Sequence, residues 1–208
     1  MKGDLNLLEG FFPATAMPDA DWWHALWPRP DEILARLGID SQSAVIDLCC
    51  GDGLFAIPLA RMARHIVAID LDPKMVDLAR SGAEAAGATN CVFMVGDAYD
   101  LAKFVTDPQD FVLIANTFHG VPDKPRLARA VMSALKPGGR FVVINWHRHL
   151  REKTIVLNQP RGPQTEMRMT PEDVTRAVAP AGFRPIELIQ LPPYHYAAVF
   201  ERPIPVGP

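Results

Sequence analysis

Cysteine is scarce: there are three in 208 residues, and two of them, Cys49 and Cys50, are neighbours. Three cannot build a disulfide framework, and thiols left reduced point to the cytoplasm. Long apolar runs are missing as well. The longest, such as residues 111–115 and 141–144, fall far short of the ~20 residues that a membrane helix needs. Neither sign of charge dominates, with 21 basic against 24 acidic residues and a net charge of −3. That balance gives no electrostatic reason to expect nucleic acid or an anionic membrane as the main partner. Internal repeats are absent, and the one biased segment is the proline-rich tail at 203–208. Residues 14–16, Ala-Thr-Ala, look superficially like a signal-peptidase site, but Asn6, Glu9 and Gly10 interrupt the apolar stretch before them, which argues against a secretory leader.

What is present is the composition of a folded globular chain, 49% hydrophobic and 22% charged, with a length suited to one domain or to one domain with a lid. Between Ser43 and Trp146 the pattern is regular. Short, apolar, β-branched runs at 44–48, 66–70, 91–95, 111–115 and 141–146 read as strands buried on both faces. Helical segments at 54–64, 73–86 and 123–135 separate most of them, with Asp72 as N-cap and Pro73 at the first helical position of the second. Strands alternating with helices predict a mostly parallel, doubly wound α/β sheet. After Trp146 comes an irregular stretch to Met169, then a helix announced by Thr170, Pro171 and Asp173. Residues 186–190 and 194–201 form two more strands whose short Leu191-Pro192-Pro193 connection permits only an antiparallel pair. The expected architecture is a Rossmann-like, seven-stranded sheet ending in an antiparallel hairpin. Residues 1–40 are expected to form an N-terminal helical lid segment and residues 41–208 the main domain.

The most informative segment is Val45-Ile46-Asp47-Leu48-Cys49-Cys50-Gly51-Asp52-Gly53. A strand feeds a glycine-rich turn that opens a helix, and glycine lets backbone approach a ligand closely. Gly51-x-Gly53-x-x-Ala56 also fits the dinucleotide fingerprint. Asp70, at the end of the second strand, can accept hydrogen bonds from both ribose hydroxyls. These features point to an adenosine-bearing ligand: NAD, FAD or S-adenosylmethionine. Three others favour the last. Asp47 precedes the glycines, where a carboxylate can orient the loop or meet an ammonium group. Val95-Gly96-Asp97-Ala98 puts another acid at the end of the third strand, within reach of an adenine amino group. Leu135-Lys136-Pro137-Gly138-Gly139 leads into the fifth strand ahead of the hairpin.

Taken with Ala68-Ile69-Asp70 and Ala115-Asn116-Thr117-Phe118-His119, these motifs resemble the class I S-adenosylmethionine-dependent methyltransferases. The similarity is greatest to the small branch related to ubiquinone- and menaquinone-biosynthesis methyltransferases, and it covers roughly residues 43–201. The resemblance implies that Gly51 and Gly53 cradle the methionyl end of the cofactor with Asp47 and Cys49 nearby. It implies further that Asp70 holds the ribose, Asp97 and Ala98 contact adenine, Leu71 packs on the adenine face, and Asn116 closes the site. One departure is Cys49, which stands where the family places the first glycine of the loop. Pro58 is another, a turn into the first helix, where it bends the helix or marks a later start.

Methyl transfer from a sulfonium needs alignment and water exclusion, and a base only if the acceptor is protonated. His119 and His147, just past strands four and five, are the catalytic candidates on the correct edge of the sheet. Trp22, Trp23 and Trp27 are expected to cap the pocket, with Trp146 as the opposing wall. The substrate expected there is a small apolar or aromatic molecule, with no nucleic acid and no membrane insertion. Arg161 and Arg168 read as solvated loop charges, with pairing to a substrate carboxylate or phosphate as the alternative. No metal is expected, because His147-x-His149 lacks a third ligand, and the few cysteines argue against metalloid methylation. Two other readings stand beside the enzyme: an S-adenosylmethionine-binding partner or sensor without transfer activity, and an NAD-dependent oxidoreductase.

Overall fold

The computed structural model describes residues 11–13 and 15–205. The first ten residues of the expected lid segment, Ala14 and the last three of the proline-rich tail lie outside the described residues. Strands form where aliphatic and β-branched residues run together: β1 (Ala44–Leu48), β2 (His65–Asp70), β3 (Cys91–Val95), β4 (Gln109–Ala115) and β5 (Leu135–Trp146). They alternate with α3 (Ala56–Leu59), α4 (Pro73–Ala85) and α5 (Lys124–Ala134), after two short N-terminal helices, α1 (Ala20–Leu26) and α2 (Pro30–Ala35). The chain closes with the small strands β6 (Ile155–Val156) and β7 (Gln159–Pro160), helix α6 (Pro171–Val178), and the long strands β8 (Arg184–Leu191) and β9 (His195–Glu201).

The seven main strands lie in the order β3-β2-β1-β4-β5-β9-β8. The first five are parallel, with Val45 paired to both Ile66 and Phe111. β9 runs antiparallel to β5 and β8 antiparallel to β9, so the C-terminal hairpin completes one edge of the sheet. This is the Rossmann-like α/β arrangement expected from the sequence. The chain order reverses between β1 and β4, and a crevice opens beyond the C-terminal ends of strands on either side of such a point.

Two apolar layers cover the sheet. On one face α1–α4 pack around Val45, Ala68, Leu113 and Ile144. On the other, α5 and α6 pack around Ile46, Ile69, Val112 and Val143. All five residues of β1 are buried, which explains their unbroken hydrophobic run apart from Asp47.

Several local expectations are refined. The helix expected over 54–64 is one turn long; Pro58 has no N–H to give to Leu54 and its ring crowds that carbonyl, so the helix starts later, at Ala56. The stretch from 147 to 169 is ordered by the β6–β7 hairpin, whose two-residue turn places Leu157 and Asn158 at φ of 48° and 60°. Asp72 caps α4 by accepting from Lys74 N at 2.9 Å. Thr170 and Asp173 form the reciprocal capping box of α6.

Candidate active site

The C-terminal ends of β1–β5 converge on a cavity of about 400 Å³. Asp47, Cys49, Gly51, Asp70, Leu71, Asp97, Ala98, Asn116 and His119 all line it. Gly53 does not. It lies one step behind, at φ 87°, where a Cβ would come 3.1 Å from that of Ala79. Gly53 therefore lets the loop lie against α4 and supports the floor from below.

Asp70 is the keystone of that floor. Its Oδ2 accepts from Gly51 N at 2.8 Å and its Oδ1 from Asp72 N at 2.9 Å, so one carboxylate ties the glycine loop to the entry of α4. Each oxygen keeps a further lone-pair direction for a ligand hydroxyl. Burial raises the Asp70 pKa. Asp97 plays a similar double part. Its Oδ1 accepts from Tyr99 N at 2.8 Å and caps the short helical turn that follows.

Asp47 is the most perturbed acid. It is 1% exposed, it receives the Ala56 backbone N–H, and its Oδ2 has no hydrogen-bond partner among the described residues. Burial, reinforced by the nearby Asp70 carboxylate, pushes its pKa up to about 8. An unpaired acceptor beside a second carboxylate suits a cationic group, and an ammonium would satisfy both the hydrogen bond and the charge.

Cys49 and Asn116 adopt left-handed backbone, both at φ 59°. This accounts for the departure at Cys49: the turn demands a conformation that glycine adopts freely and cysteine only under strain. Asparagine tolerates it better, and both amide atoms of Asn116 are buried without partners among the described residues. Burial pushes the Cys49 and Cys50 thiols well above the ordinary range, which leaves them poor nucleophiles.

The opposite wall is aromatic and basic. Trp22 and Trp23 from α1, Phe55, and Trp146 at the end of β5 line the cavity. Trp22 and Trp23 meet edge to face at 5.7 Å. Trp146 is 2% exposed and is held by His195 at 4.1 Å and by Tyr194, stacked at 6.2 Å. Gly162 lies so close to its ring that a Cβ there would come within 2.9 Å of two ring carbons.

Not every sequence candidate reaches the cavity. Trp27 packs away from it, against Phe55 at 5.3 Å and His195 at 4.5 Å, as scaffold. His147 also lies outside the lining. Its backbone N donates to Tyr194 O at 2.8 Å and its ring pairs with Gln190 Oε1 at 2.8 Å, so the β5–β9 pairing turns it onto the hairpin. Arg168, read as a solvated loop charge, is instead 2% exposed. Among residues the sequence reading missed, Arg151, Thr15, Met17 and Asp52 line the cavity and His195 is buried behind it. Among the described residues no cluster of three His, Cys, Asp or Glu side chains is placed to hold a metal.

With this geometry in place, comparison with known proteins adds a likeness to one family. Residues 45–139 match the model of a family described as a methyltransferase domain. The match spans a little under half of the chain and takes in β1 to the start of β5. Its curated relatives include the tRNA 5-carboxymethoxyuridine methyltransferase of Escherichia coli (strain K12), 30% identical over 125 residues, which are 60% of this chain and 48% of that one. They also include the ubiquinone biosynthesis O-methyltransferase of Xanthomonas oryzae pv. oryzae (strain PXO99A), 34% identical over 138 residues, 61% of this chain and 56% of that one. The chain thus spans about half the length of the curated relatives it matches. Among solved structures, a SAM-dependent methyltransferase from Aquifex aeolicus superposes with a TM-score of 0.70 at 20% identity, over 83% of this chain and 88% of that one. The [4+2]-cyclase SpnF superposes at 0.69 with 17% identity, over 85% and 80%. At such identities the superpositions establish the class I methyltransferase fold, a fold that also carries chemistry other than methyl transfer. S-adenosylmethionine is the cofactor this domain and fold imply, and the acidic floor fits it: Asp47 and Asp70 suit a ligand with an ammonium, a sulfonium and a ribose.

Proposed function

We propose that this protein transfers a methyl group from S-adenosylmethionine to a small apolar or aromatic molecule. The observation that carries the reading is Asp47 Oδ2, a buried acceptor without a hydrogen-bond partner among the described residues, set beside Asp70 at the ends of adjacent strands within the stretch that matches a methyltransferase domain. In this reading Asp47 holds the ammonium end, Gly51 lets the backbone come close with Gly53 beneath it, and Asp70 takes the ribose hydroxyls. Asp97 and Ala98 meet adenine, and Leu71 packs on its face. When bound, S-adenosylmethionine supplies a methyl group on a sulfonium, an electrophile that needs no further activation.

The rest of the task is alignment and shielding. Trp22 and Trp23 supply the apolar lining for an aromatic acceptor and keep water from the reacting atoms, while Trp146, covered by Tyr194, His195 and Gly162, backs that wall instead of offering a free face. Asn116 closes the end of β4, and His119, buried on the short turn after it, is the residue placed to take a proton from a hydroxyl or carbon acid. The lid role of residues 1–40 belongs to the same reading and rests on Phe12, Met17, Trp22 and Trp23 at the cavity.

A cavity of this size walled by aromatic rings, with a net charge of −3, favours a small molecule over nucleic acid. No described helix is long and apolar enough to cross a membrane. With three free cysteines, the cytoplasm is the compartment we assign. The test is incubation with methyl-labelled S-adenosylmethionine and a panel of phenols, catechols and aromatic acids. The reading expects label in an organic product together with S-adenosylhomocysteine. Absence of turnover across the panel, with label accepted by RNA instead, would overturn the small-molecule assignment.

A further inference from the structure

The cavity is lined by charges of both signs. Asp47, Asp52, Asp70, Asp72 and Asp97 line it from the ends of β1–β3 and the loops after them, and Arg151 and Arg161 line it from the segment after β5. The acids match a cationic cofactor and leave the two guanidinium groups unexplained. Both come from the segment between β5 and α6, which the β6–β7 hairpin folds back over the cavity.

This wall is built for a ligand. Arg161 Nε and Trp23 Nε1 are buried donors with no hydrogen-bond partner among the described residues, and both residues line the cavity. The Arg161 guanidinium sits over the Trp22 ring at 5.3 Å, which fixes its plane against one aromatic wall. Among the described residues neither Arg151 nor Arg161 has an ion-pair partner, although arginines elsewhere on the chain do. Buried donors without acceptors are costly, and a ligand that supplies acceptors removes the cost.

The wall is also held rigidly from behind. Arg168 donates from Nη2 to Thr154 Oγ1 at 2.9 Å and to Arg161 O at 3.1 Å, and from Nε to Pro163 O at 3.1 Å. Arg151 Nε donates to Gly162 O at 3.0 Å. Burial lowers the Arg168 pKa to about 10, which leaves it charged at neutral pH. Its guanidinium lies 5.0 Å from the Trp146 ring. Arg168 is therefore a positioning residue: it clamps the backbone that carries Arg161 and Gly162 against Trp146, and it adds positive potential to the same wall.

We propose that the methyl acceptor is an aromatic oxyanion, with a carboxylate or phosphate monoester bound by Arg161 and Arg151 and its ring against Trp22 and Trp23. The inference rests on the methyltransferase reading and adds the charge of the substrate to it. A planar guanidinium recognises either oxyanion through paired hydrogen bonds. Because the acids and the arginines line one cavity from different elements, such an acceptor would keep its anionic end at the arginines and away from Asp47 and Asp70.

The test is calorimetric titration of S-adenosylhomocysteine-saturated protein with 2-naphthoate, 2-naphthyl phosphate and the neutral isostere 2-naphthamide. At least one anion should bind about 10–100-fold more tightly than the amide, the scale for losing a charge-assisted hydrogen bond. The better of the two anions identifies the oxyanion. In Arg161→Met, which keeps the packing on Trp22, the preference should collapse while S-adenosylhomocysteine affinity is unchanged. Should that variant fail to bind S-adenosylhomocysteine, Arg161→Lys serves instead, with an intermediate preference expected because the charge stays and the fork is lost. Equal binding of anions and amide, binding of none of them, or a preference that survives in both variants would overturn the proposal. If the wild-type protein does not take up S-adenosylhomocysteine, the failure belongs to the methyltransferase reading; if it does and the preference is absent, only the oxyanion assignment fails.

Discussion

Replacing Asp47 with asparagine should make the apo protein more stable and the liganded protein weaker. Asp47 is fully enclosed, and burial next to Asp70 pushes its pKa up to about 8. An unfolded carboxylate titrates near 3.9, so the native state holds the extra proton between about pH 4 and pH 8. The contribution to stability is therefore fully present below about pH 4 and is lost as pH rises through about 8. Asp47→Asn removes that loss and should raise apo stability at pH 8 by up to a few kcal/mol, measured by urea titration. Binding has the opposite slope. A ligand ammonium pairs with the ionised carboxylate alone, and at pH 7 only about one-tenth of Asp47 is ionised in the apo protein. Affinity for S-adenosylhomocysteine should rise about tenfold from pH 6 to pH 7, with about one proton released per ligand bound. Calorimetry in two buffers of different ionisation enthalpy reads both quantities. Asp70 is also raised by burial, so Asp47→Asn is the control that separates the two acids. Affinity independent of pH in the wild type, or a slope that persists in Asp47→Asn, would refute the assignment of Asp47 to the ammonium.

Other changes separate the parts of the site. Cys49→Gly relieves a left-handed residue and should stabilise the fold by about 0.5–1 kcal/mol in chemical denaturation, with S-adenosylhomocysteine binding retained. Asp70→Ala removes the acceptor for Gly51 N and Asp72 N and should weaken S-adenosylhomocysteine by about 1–3 kcal/mol, read by the same calorimetry. His119→Ala should lower kcat by about 10²–10⁴ if the acceptor is a hydroxyl or carbon acid, with little change in cofactor affinity. An unaltered kcat on such an acceptor would remove His119 from the role of base.

The parallel half of the fold was legible because each buried strand announces itself as a short aliphatic run and each helix carries its own punctuation, as at Asp72-Pro73 and Thr170-Pro171. The acidic floor was legible for the same reason: Asp47, Asp70 and Asp97 stand at strand ends, where position in the sequence fixes position on the sheet edge. The basic wall was not. Residues 147–169 have no hydrophobic period, so nothing local indicates that Arg151 and Arg161 fold back over the cavity or that Arg168 is buried. A charge in an aperiodic stretch reads as solvated, and only the packing of Gly162 on Trp146 and of Arg161 on Trp22 reverses that reading. His147 erred in the other direction. Its place after β5 suggested the site, yet the antiparallel partner strand β9 and Gln190 on β8 capture it on the hairpin, a long-range effect that strand order alone does not reveal. His195 escaped notice because alternation along β9 marks only which face it joins, and the two tryptophans that enclose it come from distant parts of the chain.

The central claim is that the acids at the ends of β1, β2 and β3 form a site for the S-adenosyl cofactor, and it is tested most directly by titrating the purified protein with S-adenosylhomocysteine and, separately, with NAD. The account predicts one S-adenosylhomocysteine bound per chain with a Kd in the micromolar range, about −8 kcal/mol at 1 μM, and no comparable binding of NAD. Tight binding of NAD with no heat from S-adenosylhomocysteine would contradict it.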